Sequence, residues 1–297
     1  MNAPDLQRHS SATPDRSGVE FGESAEGFPV ARIGDTVLAM IPFTDGGGFL
    51  ASAWRVQRPL SELERADFFG HDGRLADEAA FRERVFEMAG HKRELAALRR
   101  VQTLMSSSTP WGSSQLATIY AEGMVSHATA CHGGFHLSAE RNARVDPMLR
   151  NDTPWYEEDV EWAIVALTFP ELFTTYERKN ANEAIRNSWP DAWEEFHGQE
   201  LLPGESRTKD RRDFERQHAG DWIVVSAILS DHHPGMTEVV ATIGGTRSNR
   251  ADERCFLVPS AEYADRGSFG FVIDEARHAG YDGPSSFIGR QARRNVR

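Results

Sequence analysis

Cysteine is nearly absent. Cys131 and Cys255 are the only two in 297 residues, too few and too far apart for a disulfide framework, and free thiols in a reducing cytoplasm are the expectation. No apolar run reaches the roughly 20 residues that span a bilayer, and no signal peptide is recognised, so a membrane role is not expected. Basic charge is also short. Lys and Arg number 33 against 45 Asp and Glu, a net charge of −12, which argues against general nucleic-acid or anionic-membrane binding. It leaves room for a surface that mimics nucleic acid or docks a basic partner. The strongly diagnostic spacings are missing as well. There is no CxxC pair, no HExxH, and no lysine-bearing P-loop after Asp45-Gly46-Gly47-Gly48, which reads better as a hairpin turn. No internal repeat or heptad run organises the chain.

What is present suffices for a packed core, with 39% hydrophobic residues. Residues 1 to about 27 are rich in Ser, Asp, Gly and Pro and read as a disordered arm. Val30-Ala31-Arg32-Ile33 and Thr36 to Pro42 read as paired strands around Gly34-Asp35, with Phe49 to Val56 returning. Pro59 to Arg65 reads as a short helix. Glu78 to Met88 carries Phe81, Val85 and Met88 on one stripe, an amphipathic helix that Gly90 kinks or ends. Further on, Leu172 to Ser188 and Ala192 to Phe196 read as helices, with Gly198 as a C-cap. Pro203 to Glu215 reads as a surface connection. Asp221 to Ser230 and Thr237 to Ile243 read as a hairpin around His232-His233, and Cys255 to Val258 and Phe269 to Ile273 add strands. The plan is α+β, with antiparallel sheets and helices packed around a central hairpin-plus-helix unit. It divides into the arm at 1–27, an α+β region at 28–105, a central domain at 106–200 and a β-rich region at 201–297.

The stretch from Thr118 to Asp159 concentrates the chemistry. It holds His127, His132 and His136, Cys131, and the acidic-aromatic run Trp155-Tyr156-Glu157-Glu158-Asp159. Gly133-Gly134 reads as a two-residue type I′ turn, because both central positions of that turn need positive φ. The strand before it would then pair with Phe135 to Ser138, setting Cys131 opposite His136 and His132 opposite Phe135. Two functional readings compete. In one, Cys131, His127 and His136 form a thiol-imidazole cluster that binds a soft or borderline metal or pairs a nucleophilic thiolate with a base. In the other, His132 acts at the hairpin tip while Gly133 and Gly134 let a ligand or cofactor approach the backbone. The bland alternative is a tight hairpin with a buried cysteine and solvated histidines. Asp152-Thr153-Pro154 reads as a helix start, with Thr153 as N-cap and Pro154 at the first helical position. Glu157, Glu158 and Asp159 would then complement the helix dipole, ahead of a helix apolar almost all round that Pro170 ends.

Trp111-Gly112, Tyr120-Ala121-Glu122-Gly123, His132-Gly133-Gly134, Leu137-Ser138, Arg141, the Trp155–Asp159 run, Trp162 and Phe169-Pro170 together resemble an uncharacterised bacterial family, domain of unknown function seven-thousand-and-seven. The resemblance covers roughly Trp111 to Gly198. It implies a protein of proteobacterial plasmids and integrated elements, and it implies no known activity. In that family the position of Cys131 is often a small hydroxyl residue and that of His136 is not always His, which shifts weight from the thiol to His132 with Glu157, Glu158 and Asp159.

Two expectations of different class follow. The first is a hydrolase-like enzyme in which His132 and the three acids work together as general acid and base, with or without a divalent cation; the metal, cofactor and substrate are not specified by the residues. The second is a non-enzymatic acidic interaction protein that binds or inhibits a nucleic-acid-handling protein of the host. The partner is accordingly an unknown small molecule or protein.

Overall fold

The structure, a computed structural model, describes residues 18–44, 46–248 and 252–288. The chain divides into two compact units, Met1–Ile185 and Arg186–Arg297, each considered by itself below. The architecture is α+β.

The first unit opens with an antiparallel meander of β1 (Val19–Glu23), β2 (Pro29–Ile33), β3 (Thr36–Pro42), β4 (Gly48–Trp54) and the short β5 (Arg74–Leu75), ordered as in the sequence. Its central strand is buried on both faces from Val37 to Ile41. One face is covered by α1 (Glu78–Leu98), whose Phe81, Val85 and Ala89 pack on Val19, Ala31, Leu38 and Leu50. The other is covered by 3-10 turns at Leu60–Glu62 and Arg65–Asp67, with Leu60, Leu63 and Phe68 against Val30, Val37 and Ile41. Each large apolar side chain so buried contributes about 1.5–3 kcal/mol. Three expectations are corrected here. The arm expected to about residue 27 lies outside the described residues as far as 17, but β1 follows at once, because Val19 (1% exposed) has a place under α1. The helix expected over Pro59 to Arg65 is the pair of 3-10 turns. Gly90 neither kinks nor ends α1, since the buried stripe outweighs the roughly 1 kcal/mol that a helical glycine costs; Arg99 in the left-handed region (φ 51°) ends it.

A second five-stranded sheet follows. It is built from β6 (Val101–Thr103), β9 (Leu116–Ala121), β10 (Met124–Ala128), β11 (Gly133–Leu137) and β12 (Trp155–Glu157) in the order β12-β11-β10-β9-β6. The small ribbon β7 (Ser108–Thr109) and β8 (Gly112–Ser113) precedes β9, and a single turn, α2 (Ala139–Asn142), follows β11. The segment leading up to this hairpin is two strands, β9 and β10, hinged at Gly123 (φ 73°). The β10–β11 hairpin does form, but its register differs from expectation. His127 stands opposite Gly134 and Ala128 opposite Gly133, so both glycines are strand residues and the loop is Thr129 to His132. Neither glycine has positive φ. The helix expected from Pro154 is also replaced. Trp155–Glu157 is an edge strand with Tyr156 fully buried, paired through Phe135–Tyr156 and His136–Trp155. Alternating aromatics suit a pleated, half-buried surface, and Leu137 N–H finds its acceptor on Pro154 C=O (2.9 Å). The helix α3 begins only at Trp162 and runs to Thr168. As expected it is deeply buried, with Ala163, Ile164, Val165 and Ala166 all inaccessible, and it packs on β11 and β12. The boundary between units falls inside α4 (Thr175–Ser188).

The second unit contains α5 (Pro190–His197), capped by Gly198 in the left-handed region, and α6 (Arg207–Gln217). Its sheet is β13 (Trp222–Leu229), β14 (Met236–Ile243), β15 (Glu253–Pro259) and β16 (Ala279–Gly280), with α7 (Ser260–Ala264) after β15. The helix α6 replaces the expected surface connection. It is nearly all polar, and it is held by the buried Ser206 N-cap and by pairs such as Arg212 with Asp191 (2.8 Å). Phe269 to Ile273 is not a full strand. It makes only isolated bridges, Val272 to Ile223 and Gly270 to Gly267, while Phe271 and Ile273 pack on Val239 and Phe256.

Candidate functional site

The loop between β10 and β11 is closed by Thr129. Its N–H donates to His132 C=O (3.0 Å), and its hydroxyl donates to the same carbonyl (2.6 Å). The Cys131 and His132 N–H groups in turn point at that hydroxyl (3.4 and 3.3 Å). A threonine turn of this kind needs no glycine at its centre, which frees Gly133 and Gly134 for the ladder. There they serve close packing. A Cβ at Gly133 would fall on the Glu158 carboxylate and the His127 carbonyl, and one at Gly134 on Trp111 and the Tyr156 carbonyl. The glycines therefore do not hold open a ligand cradle, as the sequence reading had them, because protein atoms fill the space beside them.

That arrangement sets three side chains around the loop tip. The Glu158 N–H extends the ladder to Gly133 C=O (3.0 Å), and its carboxylate lies over the bare face of that glycine. Glu157, the last residue of β12, turns Oε2 to the N–H groups of Asp159 (2.7 Å) and Val160 (3.3 Å). Its other oxygen, Oε1, is buried with no hydrogen-bond partner. His132 Nδ1 lies 3.8 Å from that Oε1. This is beyond a hydrogen bond but within range of a charge contact or a shared cation. One ligand atom each from His132, Glu157 and Glu158 lie within 4.8 Å of one another. Among the described residues they are the one group of three or more His, Cys, Asp or Glu side chains so placed. His132 is exposed and Glu157 about one-quarter so.

Of the four candidate catalytic residues, the structure brings His132, Glu157 and Glu158 together and leaves Asp159 outside as a backbone donor. The thiol-imidazole cluster does not assemble. Cys131 is exposed on the loop, while His127 and His136 sit on the sheet around Trp155, with ring centroids 5.5 and 4.5 Å from it. His127 is buried, with Nδ1 3.1 Å from Ser114 Oγ. Burial lowers the pKa of both imidazoles, and the neighbouring His136 lowers that of His127 further; His136 is half-buried. Glu161, which no sequence argument had singled out, completes the acidic segment. Its Oε2 accepts from Asn151 Nδ2 (2.8 Å) and Glu157 N–H (2.9 Å), locking the strand that presents Glu157. His232 and His233 point their N–H groups at Ser230 Oγ and join no comparable group among the described residues.

An α+β chain with an exposed imidazole-carboxylate triad on a hairpin tip is what the geometry defines. Residues 104–219 match the family described as Domain of unknown function (DUF7007), and Trp111, His132 and the Trp155–Asp159 run all lie inside the matched stretch. No curated protein and no solved structure matches the chain. No helix among the described residues is long and apolar enough to cross a membrane.

Proposed function

We propose that the domain binds a divalent transition-metal ion through His132 Nδ1, Glu157 Oε1 and the Glu158 carboxylate, and that it is a metal-assisted hydrolase. One observation carries the reading. A buried carboxylate oxygen without a partner, which ordinarily costs stability, is aimed at an imidazole with a second carboxylate beside it. One nitrogen and two oxygen donors suit borderline Zn²⁺ or harder Mn²⁺ better than soft ions. Ligand atoms around such an ion stand about 3.4 Å apart, given bonds of about 2.1 Å, so the group needs to contract by about an ångström. The exposed His132 ring and the Glu158 side chain have room to do so. Three protein ligands at a surface leave coordination positions for water and substrate, the pattern of catalytic rather than structural sites. A bound ion would supply Lewis-acid activation of water. Glu161 and Thr129 act as positioning residues, holding the Glu157 strand and the His132 loop.

Elemental analysis of the purified full chain, with a thermal-shift panel of Zn²⁺, Mn²⁺, Ni²⁺ and Mg²⁺, tests this. We expect about one equivalent of one ion, and a melting temperature raised by it in the wild type but not in His132→Ala or Glu157→Gln. Saturation at a hundredfold over Kd corresponds to about 2.7 kcal/mol. Absence of any ion-specific shift, or an equal shift in both variants, would remove the site and leave the acidic interaction protein as the better reading.

A further inference from the structure

The strand β1 is the outer edge of the first sheet. Its outward-facing backbone can be read from the hairpin phase. Ser24 N–H donates to Phe28 C=O (3.0 Å), so by the antiparallel alternation Gly22 and Glu20 form the hydrogen-bonded pairs with Val30 and Arg32. Val19, Phe21 and Glu23 then turn their N–H and C=O groups away from β2. Among the described residues nothing pairs with these outward groups. Native edges of this kind are usually blunted by charged side chains, proline or a bulge; Val19-Glu20-Phe21-Gly22-Glu23 has no proline, bulge or lysine, and its only charges are acidic.

The edge also opens into a cleft of about 570 Å³. Leu60 lines it from one face of the sheet, and Phe81 and Arg82 from the other. The cleft is thus bordered by β1 and by elements from both faces of the sheet. Its charge is lopsided. Glu20, Glu23 and Glu78 line it together with Arg82, which is held over the Phe21 ring at 4.0 Å and stands 3.9 Å from Glu78; Glu20 is already paired with Arg32 (3.3 Å), so the acidic excess rests on Glu23 and Glu78. Self-pairing of two such edges would bring acid against acid, whereas a basic strand would meet complementary charge.

We propose that β1 is a docking edge for an extended, lysine- or arginine-bearing segment of a partner protein, which adds to the sheet as a sixth strand. Backbone pairing at Phe21 and Glu23 supplies affinity, and the Glu23 and Glu78 carboxylates select basic side chains at alternate positions. The test uses the full chain and a capped, fluorescein-labelled Lys-Val-Lys-Val-Lys-Val-Lys peptide, with its Glu-for-Lys counterpart as control. Anisotropy should show saturable binding of the basic peptide alone. Binding should weaken with salt and fall by about tenfold or more in the doubly reversed variant Glu23→Lys/Glu78→Lys, both exposed positions. Hydrogen exchange should slow at the Phe21 and Glu23 amides when the peptide is added, while the already paired Gly22 amide is unchanged. No saturable binding, equal affinity for the reversed variant, or unchanged exchange at those two amides overturns the proposal. So does binding that appears only after residues 1–17 are deleted, since the edge would then not be open to a partner.

Discussion

Substituting Gly133 and Gly134 separates a turn from a ladder more sharply than any other change in this chain. If the pair formed a type I′ turn, Gly133→Asn would be close to neutral, because asparagine is favoured at the first position of that turn. In the observed register the asparagine Cβ meets the His127 carbonyl and the Glu158 carboxylate. Gly134→Ala is more severe. Its methyl meets Trp111 Cη2 on one side and the Tyr156 carbonyl on the other, and β12 cannot retreat without breaking its pairing with β11. Overpacking of this kind costs about 1–3 kcal/mol, and the backbone collision puts the cost near 3. With about 2–4 °C of melting temperature per kcal/mol for a unit of this size, Gly134→Ala should melt about 6–12 °C below wild type. A control lies in α1. At Gly90 an added Cβ finds nothing closer than Arg93 Nη2 at 4.0 Å, so Gly90→Ala should gain about 0.5–1 kcal/mol. Differential scanning calorimetry of the three variants decides the matter. Wild-type melting of both Gly134→Ala and Gly133→Asn would refute the register and, with it, the placement of Glu158 over Gly133.

Two further predictions concern charge. His127 and His136 have pKa values lowered by burial, so the unfolded chain binds their protons more readily, near pH 6.5. The stability they contribute is therefore complete above that value and is lost as pH falls from about 6.5 toward the depressed native values, a window above that of the carboxylates. Urea midpoints measured at pH 7.5 and 5.5 should drop across this interval, and the drop should shrink in His136→Gln; a slope unchanged by that substitution would contradict the assignment. The second concerns Arg100 and Glu177, which pair at 2.8 and 2.7 Å with little exposure. Burial pushes the Glu177 carboxyl up, but Arg100 and the Thr174 N–H outweigh it and the net shift is downward. Glu177→Ala would strand a guanidinium held otherwise by Leu172 C=O and the Tyr120 ring. Breaking a buried pair costs about 3–5 kcal/mol, and partial exposure brings this nearer 2–3. A loss below about 0.5 kcal/mol in urea denaturation would show that the pair is only decorative.

The sequence made legible whatever rests on local pattern. The meander β2–β3–β4, the stripe of α1, the buried run of α3 and the β13–β14 hairpin follow from alternation or helical spacing with marked turns. What it concealed depends on partners distant in the chain. Gly133 and Gly134 looked like a turn because a glycine pair has a strong local meaning. Their actual requirement comes from Trp111 and Tyr156, the one before the hairpin and the other after it. The Thr129 hydroxyl, which closes the loop in their place, was an available signal that a Thr-x-x-His segment gives only weakly. Likewise Thr153-Pro154 followed by acids carries the chemistry of a helix start, and only the need of Leu137 and Gly133 for hydrogen-bond partners makes it a strand.

The strand end that stands in place of a helix start also decides which of the acids meet His132. A helix start would have spread Glu157, Glu158 and Asp159 about 100° apart around an axis, and no two of them need have faced the same imidazole. A regular strand would have sent Glu157 and Glu158 to opposite faces. The chain does neither, because β12 ends at Glu157, and the next N–H bonds Gly133 just where the ladder stops. At that frayed end the alternation lapses, and Glu158 folds over the glycine while Glu157 is tied back through Asp159 and Val160. Convergence on His132 is thus a property of the strand terminus and of the missing Gly133 side chain together. Either alone would leave one carboxylate facing away, which is why Gly133, though it touches no ligand, determines whether the group of three can form.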